Sequence, residues 1–492
     1  MLESLFGGLG TMLALAPLVA VVSGIVLGIL IGAMPGLSPS MGVALMVPFT
    51  YGMPPTIALI LLVGIYIGSS YGGSITGIMV NAPGTPSAVV TAIDGYALTR
   101  QGKPATALGT SIIASSIGGM FGTLILIAFS APLAAAAVRF HPSEYFAFAV
   151  FGLATVATLA GDKWLKAFIA MLIGLLIATV GTDPISGAER FTFDLAELSD
   201  GFMLIPALIG MFALSEVFRG IETGDFAVKR SGGIIDRWPR FAHYWNLKWV
   251  TLRSSAIGTL IGVFPGAGAT IGSFISYGLA KRFSRNADEF GKGSAEGVTA
   301  SEAADSGSVG GAMVPLLALG IPGSATTAVL IGAMMIHDLT PGPQLFLSSP
   351  EMIYAIFGVM LIAQFVLLSV GLAGGRLWVK VASIPRQILY ALITMLALIG
   401  AFAVRNSLFD VFACLGFGLL GWMLRRNDYP LAPVILGLVL GLIAETSFRR
   451  AIMMDGASVF FTRPITVTLL ALALLSFVIP FWTQLRAIRH RA

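Results

Sequence analysis

Four short clusters place hydroxyl side chains directly after a Pro-Gly pair. Ser38 and Ser40 follow Pro35-Gly36, and Thr85 and Ser87 follow Pro83-Gly84; Gly268 and Thr270 follow Pro265-Gly266, and Ser324, Thr326 and Thr327 follow Pro322-Gly323. Proline ends a helix and glycine lets the backbone turn, so each pair frees carbonyls at one helix end and N–H groups at the start of the next. Helix N-termini attract carboxylates, while unwound carbonyls and hydroxyls coordinate Na+. Asn81, just upstream of Pro83, adds an amide that both donates and accepts. These residue types suit an anionic solute bound together with a cation, Na+ at the Pro-Gly loops or H+ at an acid. Three acids lie near the clusters, Asp94, Glu302 and Asp305. An ionisable group at membrane depth usually faces a cavity or a partner, which makes them candidates for ion coupling. The competing account is plain packing, in which small residues let helices approach and the acids sit in interfacial water.

The elements that position these residues must be membrane helices. Of 492 residues, 56% are hydrophobic and 11% charged, whereas a soluble chain carries roughly 25% charged residues. The bilayer is therefore the expected solvent. Apolar runs of spanning length lie near 106–130, 143–160, 164–182, 202–218, 351–375, 386–404, 407–424, 430–446 and 464–482. The apolar stretches 11–50, 56–98, 254–280 and 301–337 are broken by the Pro-Gly pairs instead. The segment 219–253 carries Arg219, Lys229, Arg230, Arg237, Arg240, Lys248 and Arg253, and 281–292 carries Lys281, Arg282, Arg285 and Lys292. Positive charge places both segments in the cytoplasm, so 254–280 is expected to enter and leave on one side as a re-entrant hairpin. The same rule puts Lys163, Lys166, Arg425 and Arg426 inside and leaves Arg449 and Arg450 outside as exceptions. No basic region precedes the first apolar run, which is long enough to stay in the membrane.

Fifty-nine glycines and 25 prolines are not scattered evenly. Gly28-x3-Gly32-x2-Pro35-Gly36 recurs as Gly258-x3-Gly262-x2-Pro265-Gly266, and Gly72-Gly73 with Asn81–Ser87 recurs as Gly310-Gly311 with Gly320–Thr326. Five crossings separate the first hairpin from residue 219, an odd number, so the copies have opposite hands. The expected fold is an all-α polytopic membrane protein of two inverted repeats. The first repeat spans 11–218, with hairpin 11–50, interrupted helix 56–98 and spans 106–218. A basic amphipathic cytoplasmic connector follows at 219–253. The second repeat spans 254–446, with hairpin 254–280, interrupted helix 301–337 and spans 351–446, and 464–492 forms an extra helix and basic tail. Paired interrupted segments in inverted repeats mark a secondary transporter with its site at the repeat interface.

Particular residues also resemble a known family. Gly32-Ala33-Met34-Pro35-Gly36-Leu37-Ser38-Pro39, Gly64-Ile65-Tyr66, Tyr71-Gly72-Gly73-Ser74-Ile75, Asn81-Ala82-Pro83-Gly84-Thr85-Pro86 and Asp94-Gly95-Tyr96 are similar to motifs of the large membrane subunit of tripartite tricarboxylate transporters. Phe264-Pro265-Gly266-Ala267-Gly268, Gly320-Ile321-Pro322-Gly323-Ser324 and Pro341-Gly342-Pro343 resemble its later motifs, and the resemblance runs from about residue 20 to 450. It implies a multi-pass bacterial inner-membrane carrier that works with a small membrane subunit and a periplasmic solute-binding protein. It further implies import of citrate-like carboxylates driven by a cation gradient, often Na+, and an elevator-type motion. The resemblance assigns binding to the segments Pro35–Ser40, Asn81–Ser87, Pro265–Thr270 and Pro322–Thr327.

Other functions find less support in the residues. The net charge of +5 matches cytoplasmic-loop lysine and arginine and needs no nucleic-acid partner. One cysteine, Cys414, excludes an internal disulfide, and the four histidines share no ligand spacing. Gly291-Lys292-Gly293-Ser294 lacks the spacing of a phosphate loop. No catalytic motif surrounds Ser38 or Ser74, so no enzyme and no organic cofactor are expected. The alternative kept open is a passive anion channel whose Pro-Gly loops form a selectivity filter.

Overall fold

A computed structural model of the chain describes residues 14–34, 36–159, 163–224, 238–265, 268–375, 377–378 and 385–489. Each interrupted stretch folds as two helices flanking its Pro-Gly break. Helices α1 (Leu15–Gly32) and α2 (Pro39–Met46) flank the first, and α3 (Pro55–Val80) and α4 (Ala88–Arg100) the second. In the second half, α10 (Lys248–Gly262) and α11 (Gly268–Phe283) flank the third, and α12 (Ala295–Leu319) and α13 (Ala325–Ile336) the fourth. Pro35 and Gly266 lie outside the described residues, as do Lys229, Arg230 and Arg237 of the connector.

The nine uninterrupted apolar runs are also helical. They are α5 (Pro104–Ala137), α6 (Pro142–Leu159), α7 (Trp164–Ala178), α8 (Leu204–Thr223), α15 (Pro350–Ala373), α16 (Arg386–Arg405), α17 (Leu408–Arg426), α18 (Leu431–Asp455) and α20 (Pro464–Arg489). Short helices α9 (Phe241–Asn246), α14 (Pro343–Ser348) and α19 (Val459–Thr462) fill the connections. Among the described residues the one sheet is a two-residue β-pair, Gly181–Thr182 with Glu189–Arg190. Among the described residues, eight helices are long and apolar enough to cross a membrane.

Glycine spacing explains the packing at the centre. Gly24, Gly28 and Gly32 recur every four residues, which puts them on one face of α1. That face lies against α3 so closely that a methyl group at Gly28 would sit 2.5 Å from the Ile65 carbonyl oxygen. Gly258 and Gly262 of α10 lie against Ala304 and Ser308 of α12 in the same way, while Gly118 and Gly122 of α5 meet Ala303 and Gly307 on its other side. Close approach of this kind drives association where lipid tails leave little hydrophobic gain. The repeated GxxxG pairs thus serve helix packing, as the plain account of small residues expects. The consequence is that α12 is buried along almost its whole length between α5 and α10.

The exceptional arginine Arg449 also has a local explanation. It hydrogen-bonds Asp183 in the loop after α7, beside the Arg190–Glu445 pair at 2.5 Å. Asp183 further accepts from the amides of Ile185 at 2.8 Å and Ser186 at 3.1 Å. The Arg449 guanidinium, with those two amides, holds the Asp183 carboxyl well below the usual carboxylate range.

Candidate functional site

The residues that follow all four breaks line one cavity of about 730 Å³, while Gly36, Pro83, Gly84, Pro265, Pro322 and Gly323 are not part of its lining. Each break contributes a helix N-terminus: α2 through Ser38, Pro39 and Ser40, α4 through Thr85, Pro86 and Ser87, α11 through Gly268, Ala269 and Thr270, and α13 through Ser324, Ala325 and Thr326. The N-terminus of α18 joins them through Pro430, Leu431 and Ala432. First-turn amides have no intrahelical acceptor, and each N-terminus carries roughly half a positive charge. Several positive helix ends converging on one concave surface present a backbone field that favours negative charge.

The hydroxyls are used more specifically than their types alone suggest. Ser38 Oγ accepts the Met41 N–H at 3.3 Å and lies 2.9 Å from Ser40 Oγ. Thr85 Oγ1 accepts the Ala88 N–H at 3.2 Å and lies 3.1 Å from Ser87 Oγ. Ser324 and Thr327 form a reciprocal capping box, in which the Ser324 N–H donates to Thr327 Oγ1 at 2.7 Å and the Thr327 N–H to Ser324 Oγ at 3.2 Å. Ser38, Thr85, Ser324 and Thr327 therefore cap helices, each satisfying one end-turn amide and fixing where its helix begins. Of the hydroxyls in the four clusters, Ser40, Ser87, Thr270 and Thr326 line the cavity outside these caps.

The breaks themselves are tightly held. Gly36 takes φ +93°, and a side chain there would meet Glu216 of α8. The Gly84 N–H donates to the Gly73 carbonyl at 3.0 Å, and a methyl on Gly84 would press into the Gly32 carbonyl oxygen. A methyl on Gly323 would lie 2.7 Å from Ala312 backbone atoms. Pro83 and Pro322 precede these glycines, and Pro265 is buried against Gly152. Asn81 terminates α3 in a left-handed conformation, φ 51°, and stands outside the cavity lining.

The three acids have three different environments. Asp94 of α4 is buried away from the cavity lining, where Oδ1 accepts the N–H groups of Gly291, Gly293 and Ser294 at 2.8–2.9 Å and Oδ2 accepts the Tyr277 hydroxyl at 2.8 Å. Glu302 of α12 accepts four hydroxyls: Ser74, Thr91 at 2.5 Å, Ser111 at 3.1 Å and Ser115 at 2.7 Å. Asp305, one turn further along α12, lines the cavity and is 2% exposed. Its Oδ2 has no hydrogen-bond partner among the described residues.

Several lining residues escape a reading of the Pro-Gly clusters. Tyr66 and Ser70 face the cavity from α3, and the Tyr66 hydroxyl lies 3.2 Å from Ser324 Oγ. Phe212 projects from a π-helical turn, Gly210–Leu214, within α8. A phenol in a run of small and apolar residues needs a polar partner, and that is the one sequence signal for Tyr66. At one end the lining is charged, with Lys163, Arg219, Arg425 and Asp428. Lys163 Nζ lies 3.1 Å from Asp428 Oδ1 and holds that carboxyl below its ordinary value, while Arg425 pairs with Glu216. In the sequence these basic residues serve only to orient the spans.

Comparison with known proteins follows the same stretch of chain. Residues 18–436 match the family model described as the tripartite tricarboxylate transporter TctA family. A protein of Agrobacterium vitis, named an uncharacterized 52.8 kDa protein in the TAR-I ttuC' 3' region, is 37% identical over 91% of this chain and 90% of its own length. A second, from the TAR-II ttuC' 3' region of the same organism, is 38% identical over 48% of this chain and 98% of its own length. No solved structure matches.

Proposed function

The chain belongs to the tripartite tricarboxylate transporter TctA family, a multi-pass inner-membrane transport protein for carboxylate-type solutes, and from that premise we propose that its cavity is the carboxylate site of a cation-coupled importer. The observation that carries this is the convergence of the helix N-termini of α2, α4, α11, α13 and α18 on one cavity. Oriented amides bind a carboxylate without burying a fixed counter-charge, and at α2, α4 and α13 they cost little reorganisation because capping hydroxyls already hold those helix ends. Transporters of this family are not enzymes, and they act with a small membrane subunit and a periplasmic binding protein. We take both as partners of this chain.

The coupling ion is a monovalent cation, Na+ first, and the substrates are di- or tricarboxylates of citrate type. The basic end of the cavity, at Lys163, Arg219 and Arg425, coincides with the side that loop charge assigns to the cytoplasm. On that orientation the cavity faces inward. The matched packing of α1 on α3 and of α10 on α12 through equivalent glycines supports two inverted repeats, whose site-bearing helices move together as an elevator.

Proteoliposomes holding the chain with both partners test the proposal. Citrate uptake is expected only under an imposed Na+ gradient. Uptake that needs ATP, or single-channel currents far above carrier turnover, would sink it.

A further inference from the structure

Asp305 poses a physical problem that the carboxylate reading does not solve. It is 2% exposed, lines the cavity and keeps Oδ2 without a hydrogen-bond partner among the described residues. Burying an ionised carboxylate with an unpartnered oxygen is costly, so Oδ2 takes either a proton or a positive partner from the cavity, while the Ser87 side chain reaches the same carboxyl. That partner cannot be the carboxylate substrate, because two like charges at this depth repel. It has to be a cation. The hydroxyls of Tyr66, Ser70, Ser87 and Ser324 line the same cavity and offer oxygen, while Lys163, Arg219 and Arg425 line its charged end. Oxygen ligands select a hard ion, and a single buried carboxylate balances a single charge.

Glu302 is excluded from sharing the ion by its own geometry. Its two oxygens accept hydroxyls from Ser74 of α3, Thr91 of α4 and Ser111 and Ser115 of α5. Those bonds tie α12 to three other helices and fill the oxygens.

We propose that Asp305 holds a small monovalent metal cation inside the same cavity that takes the carboxylate, and that Glu302 positions the helix carrying it without touching the ion. The proposal rests on the carboxylate assignment above. It adds that the cation binds first: it cancels the Asp305 charge and leaves the helix ends as the net field that the anion meets.

The test uses the full-length protein in lipid nanodiscs, with Na+ titrated against choline at constant pH and ionic strength, first without any carboxylate. Saturable binding of radioactive Na+ and an Na+-dependent rise of the unfolding midpoint are expected for the wild type. Asp305→Asn should lose both, and Glu302→Gln should keep the saturable binding. Asp305→Glu retains the charge but moves it by one methylene, so severalfold weaker Na+ binding is expected, and this variant still decides the question if the Asn variant does not fold. Unchanged Na+ affinity in either Asp305 variant overturns the proposal, as does a wild type that responds to pH but not to Na+. Citrate titrated into the same samples separates the two assignments. Citrate binding indifferent to Na+ overturns the cation site and leaves the carboxylate cavity standing. Saturable Na+ binding that depends on Asp305, with no stabilisation by citrate or other di- and tricarboxylates, does the reverse.

Discussion

Single carboxylates in this chain perform different work according to what donates to them. Asp94 receives three backbone N–H groups from the turn before α12, where Gly291 and Gly293 take φ +85° and +113°. Asp94→Ala removes the acceptor of all three, with Ser294 buried and Gly291 and Gly293 partly open, and should cost on the order of 3 kcal/mol, measurable as a lowered unfolding midpoint whether or not substrate is present. A substrate-dependent change alone would mean that Asp94 acts in binding instead. Asp183 obeys the opposite logic from a buried, unpartnered acid. Its carboxyl is held low by Arg449 and two amides, so its contribution is complete above the ordinary carboxylate pKa of about 4 and is lost as pH falls through the lower folded value. Asp183→Asn should therefore be less stable than wild type at neutral pH, and the gap should close as the pH is brought below about 4. A gap that is constant with pH would refute the ion-pair account.

At the scale of elements, a break is defined by how closely its glycine approaches another backbone. Gly84→Ala and Gly323→Ala push a methyl into Gly32 and into Ala312, whereas a methyl at Gly416 meets nothing within 4 Å. Transport is expected to fall at least tenfold in the first two and to stay near wild type in Gly416→Ala, since a shift of about 1 Å in positioning groups can cost 10²-fold. Comparable losses at all three would show that the breaks have no special role. The same elements show what is legible in the sequence. The N-termini of α2, α4 and α13 can be read because Pro, Gly and a capping hydroxyl write them locally, within a few residues, and that of α11 from its Pro265-Gly266 pair alone. The N-terminus of α18 cannot, because Tyr429-Pro430-Leu431 is an ordinary helix start whose direction depends on tertiary packing. The π-helical turn at Phe212 likewise leaves no pattern in a uniformly apolar run. The hydroxyls are evident as types, but their division into caps and free lining groups follows from the three-dimensional arrangement.

For the whole molecule, direction is the property to test. Cys414 is buried and is the one cysteine in the chain, so labelling is clean in a Cys414→Ala background. A cysteine at Thr270 should react with a membrane-impermeant thiol reagent in inside-out vesicles, with protection by citrate, and should stay unlabelled in intact cells. Labelling from the outer face alone would reverse the orientation. The burial of α12 between α5 and α10 has a different kind of consequence, for how the chain is made. With Glu296, Glu302 and Asp305, α12 is not among the helices apolar enough to cross a membrane unaided, and a central Asp costs about 3 kcal/mol on insertion scales. Yet Ser74, Thr91, Ser111 and Ser115, which donate to Glu302, all precede it in the chain, as do the glycines of α5 and α10 that receive it. Synthesis from the N-terminus therefore makes every hydroxyl that donates to Glu302 before it makes the helix that carries Glu302, so that a nascent chain cut short after α10 already holds the groups α12 depends on.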